Sequence, residues 1–354
     1  MIPFALLGGI LLNSCGSGST AGAIQPTLKG ARTFAIDVKE GSGETYDAAF
    51  TIAQNLGVSD VQLSMDWDLI ETSAGFDFTI PDIAELYYPK KQMPVTLVFR
   101  PIDTGRRTVP SDLTSKAFDD AQMISRFQAF LTAIKGRLKK TQVARIEIGN
   151  EVDAWLGTDK TKWASWTTFY RQVSATAHTL WGASMPVGCT VQYTGLTQPS
   201  TSDLAKTLNS YTDFVAVNYY PLNPNFTVRP TTVIDSDFQI LVNHYPTRPI
   251  VFQECGYPSS AACMSTPDAQ SAFITAVFRA WDKHAKAIVH IDFAWLTDVS
   301  STTLDQWVVT YGMTGNPSLP AFRGYLGSLG LRDPMGKAKP ALTQLSTELS
   351  RRAW

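Results

Sequence analysis

Eight short apolar runs, each followed by a stretch of helical character, constrain this chain more than any single residue does. The runs are Thr33–Val38, Asp60–Met65, Val95–Arg100, Val143–Ile148, Val187–Val191, Phe214–Asn218, Ile250–Gln253 and Ile288–Ala294. Several are rich in β-branched residues and read as buried, as parallel strands covered on both faces should be. The clearest helix runs from Asp159 to Trp181, where Trp163, Trp166, Tyr170, Val173, Ala177 and Leu180 recur at three- and four-residue steps and mark a core-facing stripe. Others are expected from Asp119 to Leu138 and from about Asp268 to Ala285, the latter announced by Ser265–Thr266–Pro267. Eight strand–helix units with no linker after residue 30 predict an α/β fold, a single (β/α)8 TIM barrel over residues 31–354. No glycine-rich phosphate loop follows the first run, which argues against a nucleotide-binding sheet. Gly330 to Trp354 reads as a last turn and a closing helix, with Gly336 and Pro340 at its start.

A hydrophobic fraction of 44% with 17% charged residues suits a sizeable core. The formal net charge of -1, without any run of Lys or Arg, leaves no electrostatic footprint for nucleic acid. A neutral polymer or a small molecule is the expected partner, and the chain is expected to act as a monomer.

The N-terminus differs from the rest. Ile2 to Leu12 is apolar, too short to span a bilayer, and reads as the core of an export signal. Leu12–Asn13–Ser14–Cys15 resembles the lipobox of bacterial lipoproteins, which implies acylation at Cys15, a signal over residues 1–15 and a flexible Gly/Ser tether over 16–30. The chain would then be exported to the cell envelope and meet the membrane only through that lipid. No Lys or Arg precedes the apolar stretch, so a plain secretory signal and a translation start upstream of Met1 stay open. Export permits disulfides, and Cys255 with Cys263 could close a short loop, although small buried thiols are an equal reading for these and for Cys189. No Cys/His spacing suggests zinc, and neither a metal nor an organic cofactor is implied.

Two of the eight runs lead into glutamates. Ala144–Arg145–Ile146–Glu147–Ile148–Gly149–Asn150 leads into Glu151, and Pro249–Ile250–Val251–Phe252–Gln253 leads into Glu254. A carboxylate closing a buried strand is usually paired, neutralised or set at an open cleft, and in a barrel that cleft lies at the carboxyl ends of the strands. Asn150–Glu151 on the fourth run and Glu254 on the seventh resemble clan A of the retaining glycoside hydrolases. Val217–Asn218–Tyr219–Tyr220–Pro221 is similar to the clan's sixth strand, and Phe293–Ala294–Trp295 to its eighth. Trp67–Asp68–Leu69–Ile70–Glu71 with Gly75–Phe76–Asp77–Phe78 is similar to the segment after its second strand. On the second run itself, Leu63–Ser64–Met65–Asp66 lacks the Arg often found there.

The resemblance implies a retaining β-glycosidase acting on β-linked poly- or oligosaccharides, with Glu151 as acid/base and Glu254 as nucleophile. It implies that Tyr220 hydrogen-bonds the nucleophile, that Asn150 reads a sugar hydroxyl, and that Trp295 floors the reacting subsite. Asn218 would share the inward face with Tyr220, and Arg100 could supply the cation missing from the second strand. Asp66 is a candidate for sugar hydroxyls together with Asp37 and Asp103, and structural capping is equally open for each. Trp67, Trp155, Tyr257 and Trp307 are candidate platforms for further sugar units or core residues. Strict alternation would put Glu147 on the face of Glu151, so it is either buried with a cation or separated by a bulge near Gly149. His290 and Asp292 are read as a satisfied core pair. A glycan-binding lipoprotein that no longer cleaves, and a transglycosylase, share every residue named.

Overall fold

The computed structural model describes residues 26–354; Cys15, the signal segment and most of the tether lie outside them. Eight parallel strands form the barrel: β1 (Thr33–Ile36), β2 (Val61–Asp66), β3 (Val95–Asp103), β4 (Val143–Asn150), β5 (Val187–Gly188 continued by Thr190–Gln192), β6 (Val215–Tyr219), β7 (Ile250–Cys255) and β8 (Ile288–Phe293). Two ladders run β2–β3–β4–β5 and β5–β6–β7–β8–β1. They share β5, whose first half pairs with β4 and whose second half pairs with β6. At the β1–β2 seam Ser59 N–H donates to Phe34 O at 2.9 Å.

The helices form where sequence supplies both a stripe and a cap. Thr45, Asp120, Asp159 and Thr266 accept backbone N–H groups at the starts of Tyr46–Leu56, Ala121–Arg137, Lys160–Trp181 and Pro267–Lys283. Trp163, Trp166, Phe169, Tyr170 and Val173 of the longest helix are buried against the sheet, as the periodicity predicts. Pro340–Ser350 closes the chain; Arg352 beyond it pairs with Asp282 and Glu348.

The barrel interior is polar at its centre. Asp60, Arg145 and Glu147 form a buried chain, with Arg145 3.0 Å from Asp60 and 3.5 Å from Glu147. Arg145 is the cation expected beside a structural acid, and Thr190 Oγ1 donates to the other Glu147 oxygen at 2.6 Å. His290 does not pair with Asp292. It lies 2.7 Å from Arg145 and 2.8 Å from the Thr33 hydroxyl, and burial beside Arg145 pushes its pKa down to about 3, which keeps it neutral. Asp292 is buried with Oδ1 unpartnered, and burial together with the charges of Asp37 and Asp60 raises its pKa well above the ordinary value.

Candidate active site

The site begins with a break in alternation. Gly149 has φ +88° and Glu151 φ +46°, so the end of β4 turns twice through the left-handed region. Glu147 therefore stays within the barrel while the adjacent side chains of Asn150 and Glu151 both reach its mouth. A Cβ on Gly149 would lie 2.5 Å from Val152 Cγ1 and 2.7 Å from Trp166 Cζ2, so the turn leaves room for no other residue.

Glu151 is 8% exposed and accepts three hydrogen bonds. Thr104 Oγ1 and Gln192 Nε2 each lie 3.0 Å from its Oε2, and Asn218 Nδ2 lies 3.2 Å from its Oε1. Asn218 Nδ2 also meets Asn150 Oδ1 at 3.1 Å, and Asn150 Nδ2 donates to Asp103 Oδ1 at 3.0 Å. The amides of Asn150 and Asn218 are thus locked head to tail between two acids.

Across the mouth, Glu254 stands on β7 directly opposite Asn218 in the parallel ladder. Tyr220 O–H donates to its Oε2 at 2.6 Å. The neighbouring Tyr219 points away, donating to Asp237 on the helix Ile234–His244 at 2.8 Å. Burial raises the pKa of Glu151 against the pull of its three donors, and the charge of Asp103 raises it further. Glu254 is pushed up to about 8, first by burial and then by the charge of Glu151, against its donor Tyr220. Two buried carboxyls linked in this way titrate as a pair rather than as separate groups.

Four sequence expectations need correction. Arg100, the candidate cation, is ion-paired with two aspartates: its Nε lies 2.6 Å from Asp66 Oδ1 and its Nη1 3.6 Å from Asp103 Oδ1, and the charge of Glu254 reaches it only at longer range. Asp66 is correspondingly occupied, because β2 and β3 set it opposite Arg100 in register. Trp67 is fully buried outside the mouth, edge-on to Phe127 at 4.9 Å, with its N–H on Glu71 at 2.7 Å. Cys255 and Cys263 are free thiols. Cys255 ends β7 within the core, whereas Cys263 Sγ turns to the carbonyl of Ala321 at 3.2 Å.

Trp295, two residues past the end of β8, is 8% exposed, with Lys39 Nζ 4.9 Å from its ring centroid and Trp307 tilted against it at 5.4 Å. Lys39 in turn pairs with Asp37 at 3.0 Å. Tyr257 is buried with its hydroxyl on Arg229 O, and Trp155 carries Lys162 over its ring at 4.4 Å, so neither offers a free face to the mouth.

Sequence reasoning missed Thr104, Gln192, Tyr311 and Tyr325. Tyr311 follows the helix Ser301–Thr310 and Tyr325 lies on the helix Leu319–Gly327, two helices inserted between β8 and the closing helix. Burial raises both hydroxyls, and the charges of Glu151 and Glu254 add to it; Tyr325 stands edge-on to Tyr220 at 5.2 Å, and Tyr311 to Phe322 at 6.0 Å.

No protein-family model matches the chain, and no curated protein matches it. Solved structures do. A variant of GH5_18 from Bifidobacterium longum subsp. longum, in complex with Manβ1-4GlcNAc, aligns with TM-score 0.70 at 13% identity over 91% of this chain and 78% of its own. A variant of GH5_18 from Streptomyces cattleya, also with Manβ1-4GlcNAc, gives 0.69 at 13% over 90% and 80%. The fold is one that glycoside hydrolases share. An exo-β-1,4-mannosidase from an Opitutaceae bacterium aligns at TM-score 0.67 and 15% identity, over 91% of this chain and 59% of that one.

Proposed function

We propose that this chain is a retaining β-glycoside hydrolase, with Glu254 as nucleophile and Glu151 as acid/base. The observation that carries the reading is the pair itself. Two buried carboxyls arrive from β4 and β7, burial raises both, the charge of Glu151 raises Glu254 further, and they are held by different donors, a phenol for one and two amides with a hydroxyl for the other. A retaining site needs its carboxyls about 5–5.5 Å apart, close enough for one to attack while the other protonates.

In the first step a Glu254 oxygen attacks the anomeric carbon, the glycosidic C–O bond breaks, and the leaving oxygen takes the proton of Glu151. The glycosyl ester on Glu254 is neutral, so no like charge from that side stands against ionised Glu151, which is left as a carboxylate by the proton transfer. In the second step water attacks the same carbon, its proton passes to Glu151, and Glu254 leaves as the carboxylate. Tyr220 stabilises Glu254 whenever it is charged. Asn150 keeps one N–H beyond the one given to Asp103 and would offer it to the sugar 2-OH. Trp295 gives the apolar face of the ring a flat partner.

The substrate is a β-linked poly- or oligosaccharide. Because two of the similar structures hold Manβ1-4GlcNAc and a third is a mannosidase, β-mannosides are the first class to test. A panel of aryl β-glycosides identifies the sugar, and a 2-deoxy-2-fluoro glycoside of that sugar should trap an ester that peptide mass spectrometry finds on Glu254. Label on another residue, or a Glu254→Ala variant with undiminished turnover, overturns the assignment. We also propose lipid attachment at Cys15; labelled palmitate should enter the wild type and not Cys15→Ala.

A further inference from the structure

Two non-glycine residues of the site sit in the left-handed region, and they touch. Thr104 has φ +55°, Glu151 has φ +46°, and their side chains meet at 3.0 Å. Thr104 occupies the first position of a two-residue hairpin loop, because Asp103 pairs with Arg106 and Ile102 with Arg107 across Thr104–Gly105. Tight hairpins of this kind want glycine or asparagine at a positive-φ first position. A β-branched residue is the poorest choice there. Glycine is present one residue later, at a position where a Cβ would meet nothing within 4 Å. The loop is also tied to the site, since Thr104 N–H donates to Asn150 O at 2.9 Å. Persistent backbone strain at a contact with a reacting group is a reason to look for function in the strained side chain.

We infer that Thr104 is a positioning residue for Glu151, holding its carboxyl in place in both protonation states. The inference rests on reading Glu151 as the acid/base. In the orientation seen, the amides of Gln192 and Asn218 donate, and so serve the carboxylate. A hydroxyl both donates and accepts, so Thr104 can donate to ionised Glu151 and accept from the protonated form by rotating its own hydrogen. The glycosylation step needs one state and the hydrolysis step the other. Charged and titratable groups facing Glu151 are Asp103 on β3, Asp153 just after β4, Tyr220 after β6, Glu254 on β7, and Tyr311 and Tyr325 from the insertion. None of these is altered by substitutions at Thr104.

The test is the titration of Glu151 by carbon NMR in the full chain, for wild type, Thr104→Val, Thr104→Gly and Thr104→Ser, together with thermal melting of each. A hydrogen bond to a charged acceptor is stronger than one to its neutral form, so Val and Gly should raise the Glu151 pKa by about half to one unit. Ser should restore the wild-type value. Thr104→Gly should melt higher than wild type, because the strain is relieved, while its alkaline limb of kcat/KM moves upward with the pKa. Unchanged titration in Val and Gly overturns the inference, as does a Ser variant that behaves like Val. Should Val fail to fold, Gly and Ser decide the matter. The titration needs no substrate, so a wild type that cleaves no glycoside would sink the catalytic reading separately from the hold of Thr104 on Glu151.

Discussion

Replacing Glu254 by glutamine should stabilise this protein, and by an amount that depends on pH. Burial and the charge of Glu151 lift Glu254 from the ordinary 4.5 to about 8. The folded state therefore binds its proton more tightly than the unfolded chain does. A raised carboxyl costs nothing below its unfolded pKa; stability is then lost progressively as pH rises, until the folded pKa is passed. Each pH unit crossed between those two values costs about 1.36 kcal/mol, so the penalty grows to about 3 kcal/mol at pH 7 and levels near 5 kcal/mol by pH 9. Glu254→Gln keeps the shape and can still accept from the Tyr220 hydroxyl, but carries no charge to bury. Urea unfolding of both proteins at pH 4.5, 7 and 9 reads the difference directly. The expected gain is close to zero at the first, about 3 kcal/mol at the second and larger at the third. Stability curves that run parallel across this range would refute the cost assigned to burying the Glu254 charge beside Glu151.

Asp292→Asn should follow the same sign, since burial raises that carboxyl too; the variant should melt above wild type at pH 8 and level with it at pH 4. Gly149→Ala has to place a Cβ 2.5 Å from Val152 at φ +88°, so it should lose upward of about 2 kcal/mol and turnover together, measured by urea unfolding and by rate on the preferred aryl glycoside. Glu71→Ala leaves the Trp67 N–H and the Arg126 guanidinium without the acid between them, and should cost roughly 2–4 kcal/mol in urea unfolding. Because Cys189, Cys255 and Cys263 are free, a reductant should leave the melting temperature where it was.

The fold was legible because a parallel barrel writes itself locally. Each strand must be apolar on both faces and each helix must carry a stripe, so eight runs and their periodic partners could be counted from sequence. The count missed what lies outside that repeat. Helices Ser301–Thr310 and Leu319–Gly327 have few buried positions, Val308 in the first and Phe322 in the second, and so present no strong stripe. The polar barrel centre was half visible. Glu147 and its need of a cation could be read from parity, but the pairing of His290 with Arg145 and Thr33 joins three different strands and leaves no local trace.

The site divides along the same line. Glu151, Glu254, Asn218 and Tyr220 were readable because they end strands, where a polar residue after an apolar run stands out. Their partners were not, since a donor such as Gln192 or Thr104 is an ordinary loop or strand-end residue until folding brings it to an acid. Trp67 misled for a related reason: an aromatic residue at a strand end can face the mouth or close the core, and the Glu71 carboxylate four residues on, bound to its N–H, takes it into the core. Arg100 misled because its register across from Asp66 is a property of two strands together. One further signal does stand in the chain itself. Asp103–Thr104–Gly105–Arg106 follows an apolar strand and has the length of a tight hairpin, with a threonine standing where such a turn asks for glycine. A residue that a turn disfavours, placed one position from the residue the turn wants, sits at the end of the strand beside the one bearing Glu151, and the lost backbone preference is the sequence-level trace of a side chain required by its neighbour.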